Sequence, residues 1–267
     1  MNNHGKFAAS VATLLARGGA TAEANYITQN LTQFANAMVS PDSDLSNVKI
    51  PTRLFPAALR SVASTAIPFW EHVIVPDCPA VITNFLRNVV CAQILHKPFV
   101  WADGAMTAWY NLALASWPTD RATALRHLGR CCHLIQDLSI PHHTTVFGNI
   151  KEVYNAFMDK SSVQSAFERY TDQQYRLTTG TYNLTEYSSI AIPGTLVAIA
   201  NSSRAMMYLC DGIELPSWLR SSRFRELFYR LNYRWREDFY IVANYANTSA
   251  EKYSTLLTHK FFRDVNF

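Results

Sequence analysis

The stretch LRHLGRCCHLIQDLSIPHH at residues 125–143 decides both the fold and the candidate site of this chain. Its apolar residues recur at helical spacing, Thr119 is predicted to cap the helix, and His133 and Asp137 are four residues apart. A helix turns about 100° per residue, so this spacing puts imidazole and carboxylate on one face, one turn apart. Pro141 cannot continue a helix, so we expect the backbone to turn there and bring one of the two following histidines back towards that face.

Two interpretations of the His, Asp pair are open. A histidine and an aspartate on one helix face most often form a hydrogen-bonded pair. The neighbours favour a metal ion instead, because Leu134, Ile135 and Leu138 surround the pair and place both polar groups in an interior. A buried carboxylate is costly unless a cation or strong donors compensate its charge. The nearest basic residues in sequence are Arg130, one turn back, and Lys151, so a metal ion is the simplest compensating charge.

The composition predicts a single all-α domain over residues 1–267. Hydrophobic residues make up 49% of the 267 residues, which is enough for a sizeable core. Glycines number only nine and alternating runs typical of strands are few. No low-complexity block or long linker divides the chain. The first 22 residues resemble a weak signal peptide, but Arg17 and two glycines follow the apolar run FAASVATLLA and interrupt the pattern, so we expect a helix there.

Charge and cysteine content narrow the class of function. The net charge of +4 permits an anionic substrate or a membrane surface and gives no reason to expect nucleic acid. The five cysteines contain no CxxC pair, so neither a disulfide framework nor a thiolate zinc site is indicated. No apolar run reaches the roughly 18 residues of a transmembrane helix.

The central stretch also carries a resemblance to a known family. The motif consists of Leu128, Gly129, His133, Asp137, Pro141 and His143. It resembles the signature helix of the zinc-dependent phospholipase C family, and the form HLIQDLSIPHH is more similar to bacterial phospholipases than to the related S1/P1 nucleases. The resemblance implies zinc as cofactor. It assigns His133 and Asp137 to the central metal cluster and His143 to a neighbouring zinc.

The resemblance implies further ligands elsewhere in the chain. NNHGKFAASVATLL is similar to the family's early-histidine helix, so His4 would hold one zinc. His96, followed by KPFVW, would be another ligand of the central cluster. In the family an upstream aspartate completes that cluster and has a base-like role. Asp77 is the best candidate for this metal-binding and catalytic residue, with Asp42 and Asp44 as rivals.

One metal position departs from the family pattern. The family supplies a histidine and, four residues later, a glutamate on the helix after the motif, whereas this chain has FGNIKEVYNAF. Asn149 stands where the histidine is expected, and Glu152 could share a helix face with it. An alternative alignment puts Lys151 and Asn155 there, which would not bind zinc. Two or three zinc ions are therefore expected, with Glu152 as the candidate ligand of the doubtful site.

Three functions follow from these residues and the resemblance. The leading one is a zinc-dependent phosphodiesterase, a phospholipase C that acts on glycerophospholipids at a membrane surface and yields diacylglycerol and a phosphorylated head group. Its water would be activated by zinc, with Asp137 bridging two metals. The second is a single-strand nuclease of the S1/P1 type, which would need aromatic side chains for base stacking. The third is a catalytically impaired, metal-stabilised domain that binds a partner.

Overall fold

The computed structural model describes residues 4–46, 83–84, 87–88, 101–144, 163–206 and 233–267. Within these ranges the chain consists of helices and turns and contains no β-strand, so the prediction of an all-α protein is confirmed. No helix in the same ranges is long and apolar enough to cross a membrane. The buried hydrophobic side chains of these helices form one core cluster.

The described helices are numbered here in chain order. They are α1 (His4–Arg17), α2 (Thr21–Gln29), α3 (Leu31–Ser46), α4 (Ala102–Ser116), α5 (Arg121–Leu138), α6 (Val163–Gln174), α7 (Gly194–Arg204) and α8 (Tyr233–Asp264). Two 3₁₀ helices, Pro141–Thr144 and Leu184–Ser189, lie after α5 and before α7 respectively.

Helix α5 is the centre of the packing. Helices α3 and α4 pack along it, and α7 and α8 contact it as well. Every residue from 131 to 138 is buried, including the polar ones. A helix that is enclosed on all sides belongs to the interior of a domain. The polar side chains of its second half are therefore removed from water by the fold itself.

The N-terminus of α5 is capped by Asp120 and not by Thr119, which corrects the prediction. Oδ1 of Asp120 accepts a hydrogen bond from the backbone N–H of Thr123 at 2.9 Å. The hydroxyl of Thr119 instead donates to the carbonyl of Ser116 at 3.4 Å, so this residue belongs to the end of α4. At the other end, Pro141 begins a 3₁₀ turn, as expected of a residue that cannot extend α5.

Gly129 allows α3 and α5 to approach each other closely. A Cβ atom at this position would lie 2.5 Å from Cβ of Ala37 and 3.2 Å from the backbone nitrogen of Met38. Real carbon atoms do not approach that closely without a shift of one helix. The absence of a side chain at residue 129 therefore brings the backbone of Met38 beside α5.

Helix α1 is fixed by an apolar face and by a polar cluster around Glu251. Glu251 of α8 is 2% exposed and accepts a hydrogen bond from the Tyr175 hydroxyl at 2.7 Å. The same hydroxyl contacts Oγ of Ser10 in α1. Arg17, the last residue of α1, donates to the carbonyl of Thr178 at 2.5 Å. The segment after α6 thus joins α8 to the middle and the C-terminal end of α1.

The Glu251 cluster predicts a pH dependence of stability. Burial raises the pKa of Glu251 above its ordinary value of 4.5, against the opposing effect of the hydrogen bond from Tyr175. Between 4.5 and the raised pKa the folded protein binds more protons than the unfolded chain, so the free energy of unfolding falls as pH rises through this window. Glu251→Gln removes the titration. We therefore expect urea unfolding at pH 4.5 and 7.5 to show the variant gaining stability relative to the parent at the higher pH.

A matched control separates this effect from the loss of a negative charge. Glu186 is a partly exposed carboxylate paired with Lys252 at 2.7 Å. Glu186→Gln is expected to follow the parent at both pH values, since an exposed ion pair contributes little. A constant difference between the parent and Glu251→Gln across this pH range would contradict the prediction.

Candidate metal centre

His133 and Asp137 lie on one face of α5, as their spacing predicts. Nε2 of His133 is 2.9 Å from Oδ2 of Asp137. Both side chains are buried, and Asp137 is only 3% exposed. A carboxylate so far from water requires a cation or a strong donor beside it. The burial of this pair therefore indicates that a cation or a strong hydrogen-bond donor lies beside Asp137.

Helix α1 brings a third side chain, His4, to this pair. His4 is the first residue of α1 and is fully buried. Its Nε2 atom lies 3.6 Å from Oδ1 of Asp137, and its ring centroid lies 4.2 Å from that of His133. The two imidazoles thus approach different oxygens of one carboxylate. One ligand atom from each of the three residues lies within 4.8 Å of the other two.

The outer nitrogen of each imidazole is held by an oxygen acceptor. Nδ1 of His133 lies 2.7 Å from the backbone carbonyl of Met38, and a carbonyl can only accept, so Nδ1 carries a proton and donates it. Nδ1 of His4 lies 2.5 Å from Oε1 of Gln136, which imposes the same tautomer. Each ring then turns Nε2 towards Asp137. Metal-binding histidines almost always have their second nitrogen held in this way.

The protonation state of His4 bears on the charge of the site. Burial holds the pKa of His4 well below its ordinary value of 6.5, and His133 lowers the pKa further. Asp137 raises the pKa but does not reverse the shift. His4 is therefore neutral near pH 7, with a lone pair on Nε2. A neutral His4 does not compensate the charge of the carboxylate, so its Nε2 lone pair and Asp137 together could hold a cation.

The donor set fits zinc. Two imidazole nitrogens and a carboxylate, without thiolate, are ligands of zinc sites that keep an open position. Ligands at about 2.1 Å from a tetrahedral ion are about 3.4 Å apart. The 3.6 Å between His4 and Asp137 is near this spacing. The 2.9 Å between His133 and Asp137 is a hydrogen-bond length, which a proton would satisfy. To hold a metal, these two side chains would have to move slightly apart.

The structure brings together three of the predicted site residues and leaves others outside its description. Of the seven predicted ligands, His4, His133 and Asp137 meet in the core. His143 is buried in the 3₁₀ helix that follows α5. The remaining candidates are Asp77, His96 and Glu152, which lie outside the described residues, as do Asn149 and the side chains of Asp42 and Asp44.

Two contributors to the centre were missed by sequence reasoning. Gln136 supports His4, and its position inside an apolar run was a signal, because a polar residue there must find a partner in the core. Met38 supports His133 through its backbone carbonyl. A backbone acceptor has no sequence signature, so Met38 could be found only from the packing of α3 on α5.

Comparison with known proteins shows a likeness in fold. No protein-family model and no curated protein sequence matches this chain. Among solved structures, the crystal structure of the alpha-toxin of Clostridium perfringens, isolated from the avian strain SWCP, aligns with a TM-score of 0.58 and 15% sequence identity. The alignment covers 98% of this chain and 63% of the toxin chain. The chain therefore spans less than two thirds of the toxin and shares its helical fold.

Proposed function

We propose that this protein is a zinc-dependent phosphodiester hydrolase that acts on glycerophospholipids and releases diacylglycerol and a phosphorylated head group. One observation carries the metal part of the proposal. Both imidazoles donate from Nδ1 to oxygen acceptors and turn Nε2 towards the two oxygens of one buried carboxylate, Asp137. A zinc ion at its centre would satisfy this convergence of acceptors.

The residues have separate tasks in this proposal. Zinc, when bound, activates water near neutral pH and stabilises charge on phosphodiester oxygens. Asp137 presents one oxygen to each histidine, and it would supply the negative charge that holds zinc in the core. His4 and His133 come from helices that pack through the core, so their relative position is fixed before substrate arrives.

The lipid substrate and the remaining residues rest on other support. The motif in α5 resembles the zinc-dependent phospholipase C family, and the overall fold is shared with the clostridial alpha-toxin along 98% of this chain. On the basis of the sequence resemblance we assign the base-like role to Asp77. We likewise propose His96, His143 and Glu152 as ligands of further zinc ions, two or three ions in total. A phospholipid or membrane surface is the partner that this activity requires.

The decisive experiment is a joint measurement of metal content and hydrolysis. We expect the purified protein to contain zinc and to hydrolyse phosphatidylcholine vesicles, and we expect His133→Ala to lose both. His127→Ala is the matched control, because His127 lies on the same helix but outside the group of three metal-ligand side chains. This variant should keep its zinc and its activity.

Each other outcome points to a different function. Cleavage of single-stranded DNA without lipid hydrolysis would establish the nuclease alternative. Bound zinc without either activity would establish a metal-stabilised binding domain. A parent protein that binds no zinc and hydrolyses nothing would show that the His133 and Asp137 pair is a structural hydrogen bond, and the proposal would be wrong.

A further inference from the structure

Gln136 occupies an unusual position beside the centre. It is fully buried and immediately precedes Asp137 on α5. Its Oε1 atom lies 2.5 Å from Nδ1 of His4, and its Nε2 atom lies 3.5 Å from Sδ of Met38. A thioether sulfur can accept a hydrogen bond but cannot donate one. The amide N–H therefore faces Met38 and the amide oxygen faces His4.

This orientation determines the tautomer of His4. An amide oxygen only accepts, so Nδ1 of His4 must carry the proton and donate it to Gln136. Nε2 is then left with its lone pair and faces Asp137. Without the amide oxygen, the proton would move freely between the two nitrogens, and the tautomer with a proton on Nε2 cannot bind a metal through that atom.

Met38 supports both histidines at once. Its backbone carbonyl accepts from Nδ1 of His133 at 2.7 Å, while its side-chain sulfur accepts from the amide of Gln136. One residue of α3 therefore orients His133 directly and His4 through Gln136. Met38 therefore helps to determine, for each of the two histidines, which ring nitrogen faces Asp137.

We propose that Gln136 is a positioning residue of the metal centre, which fixes His4 in the tautomer whose Nε2 binds zinc and is itself held in place by Met38. This proposal rests on the proposed zinc site. Partners of the second nitrogen of a metal-binding histidine typically contribute about 10-fold to 100-fold to metal affinity. Gln136 touches no reacting group, so its effect is on metal binding.

The first test measures zinc affinity by competition with a chromophoric chelator. Gln136→Met has nearly the same shape but no oxygen acceptor, and we expect it to bind zinc about 10-fold to 100-fold more weakly than the parent. Gln136→Glu restores an oxygen acceptor and should bind zinc within about threefold of the parent, since carboxylates commonly fill this role. Gln33→Met is the matched control, because Gln33 also joins α3 to α5, through the carbonyl of Ala122, but lies away from the centre.

The second test observes the tautomer itself. Nitrogen NMR of zinc-free protein labelled with ¹⁵N-histidine distinguishes a protonated Nδ1 from a protonated Nε2, and His4→Gln identifies the signal of His4. We expect the parent to show the proton on Nδ1, Gln136→Met to show a mixture, and Gln136→Glu to return to the parent pattern. If Gln136 acted only through packing, Gln136→Glu would not return the His4 signal to the parent pattern.

The two tests separate the failure of this proposal from failure of the proposed function. Zinc-binding parent protein with Gln136→Met as tight as Gln33→Met would overturn the role of Gln136 and leave the zinc site intact. A proton on Nε2 of His4 in the parent would overturn it without any variant. A parent that binds no zinc would overturn the proposed function, and with it the role of Gln136 in a metal centre.

Discussion

Asp137→Asn is expected to lose zinc and phosphatidylcholine hydrolysis together while it stays folded. Each carboxylate oxygen of Asp137 faces a different imidazole, and asparagine keeps the shape but offers one oxygen and no charge. Its amide N–H can donate to an Nε2 lone pair, so the variant satisfies the site without a cation. We expect zinc affinity to fall by more than about 100-fold, the upper end of effects from residues that only support a ligand.

The stability of the same variant gives an independent reading. Asparagine removes the desolvation cost of burying the Asp137 carboxylate, so the melting temperature of zinc-free Asp137→Asn should equal or exceed that of the zinc-free parent. Asp120→Asn is the matched control at the other end of α5, because asparagine caps a helix as well as aspartate does. The control should keep zinc, activity and melting temperature. An Asp137→Asn protein that retains zinc and full activity would contradict the assignment of Asp137.

Gly129→Ala is expected to destabilise the fold even though alanine favours helices. Intrinsic propensity alone would stabilise α5 by about 1 kcal/mol. The new methyl group, however, would lie 2.5 Å from Cβ of Ala37, which is short and cannot swing away. Overpacking of this kind costs about 1 to 3 kcal/mol or more. After subtraction of the propensity gain, we expect a net loss of up to about 2 kcal/mol in the free energy of unfolding, measured by urea denaturation of zinc-free protein.

Gly5→Ala provides the comparison, since Gly5 faces the same helix with more room. A Cβ atom there would lie 3.6 Å from Cβ of Ala35, which is ordinary contact. This variant should be unchanged or slightly more stable. Gly129→Ala should in addition weaken zinc binding, because separating α3 from α5 moves the Met38 carbonyl away from His133. A Gly129→Ala protein more stable than the parent would show that α3 adapts without cost.

The sequence predicted those features that depend on local composition and on the spacing of residues within one helix. Composition and the scarcity of alternating runs predicted the all-α fold. Helical spacing placed His133 and Asp137 on one face of α5, because side-chain direction in a helix follows from residue number. His4 came from a resemblance, and no spacing rule links residue 4 to residue 137. The structure brings these three side chains together, while their role as zinc ligands remains a proposal.

The supporting residues show where sequence reasoning ended. The contact between Gly129 and Ala37 depends on how two helices approach, and the role of Met38 depends on a carbonyl that every residue possesses. The N-cap of α5 was also difficult to predict, because Thr119 and Asp120 are both good capping residues. Asp120 is the cap because Thr119 bonds to the carbonyl of Ser116 at the end of α4. Such outcomes depend on tertiary packing, which propensities do not encode.

The residues of the metal centre are far apart in sequence, and this separation has a consequence for folding kinetics. His4 meets α5 across 132 residues of sequence, and His133 meets Met38 across 95. Contacts between such distant segments form late, because the entropy of closing long loops must be overcome first. A metal that binds only the completed centre therefore stabilises the native state more than the folding transition state. Zinc would therefore slow unfolding and prolong the lifetime of the folded protein, with little effect on the folding rate.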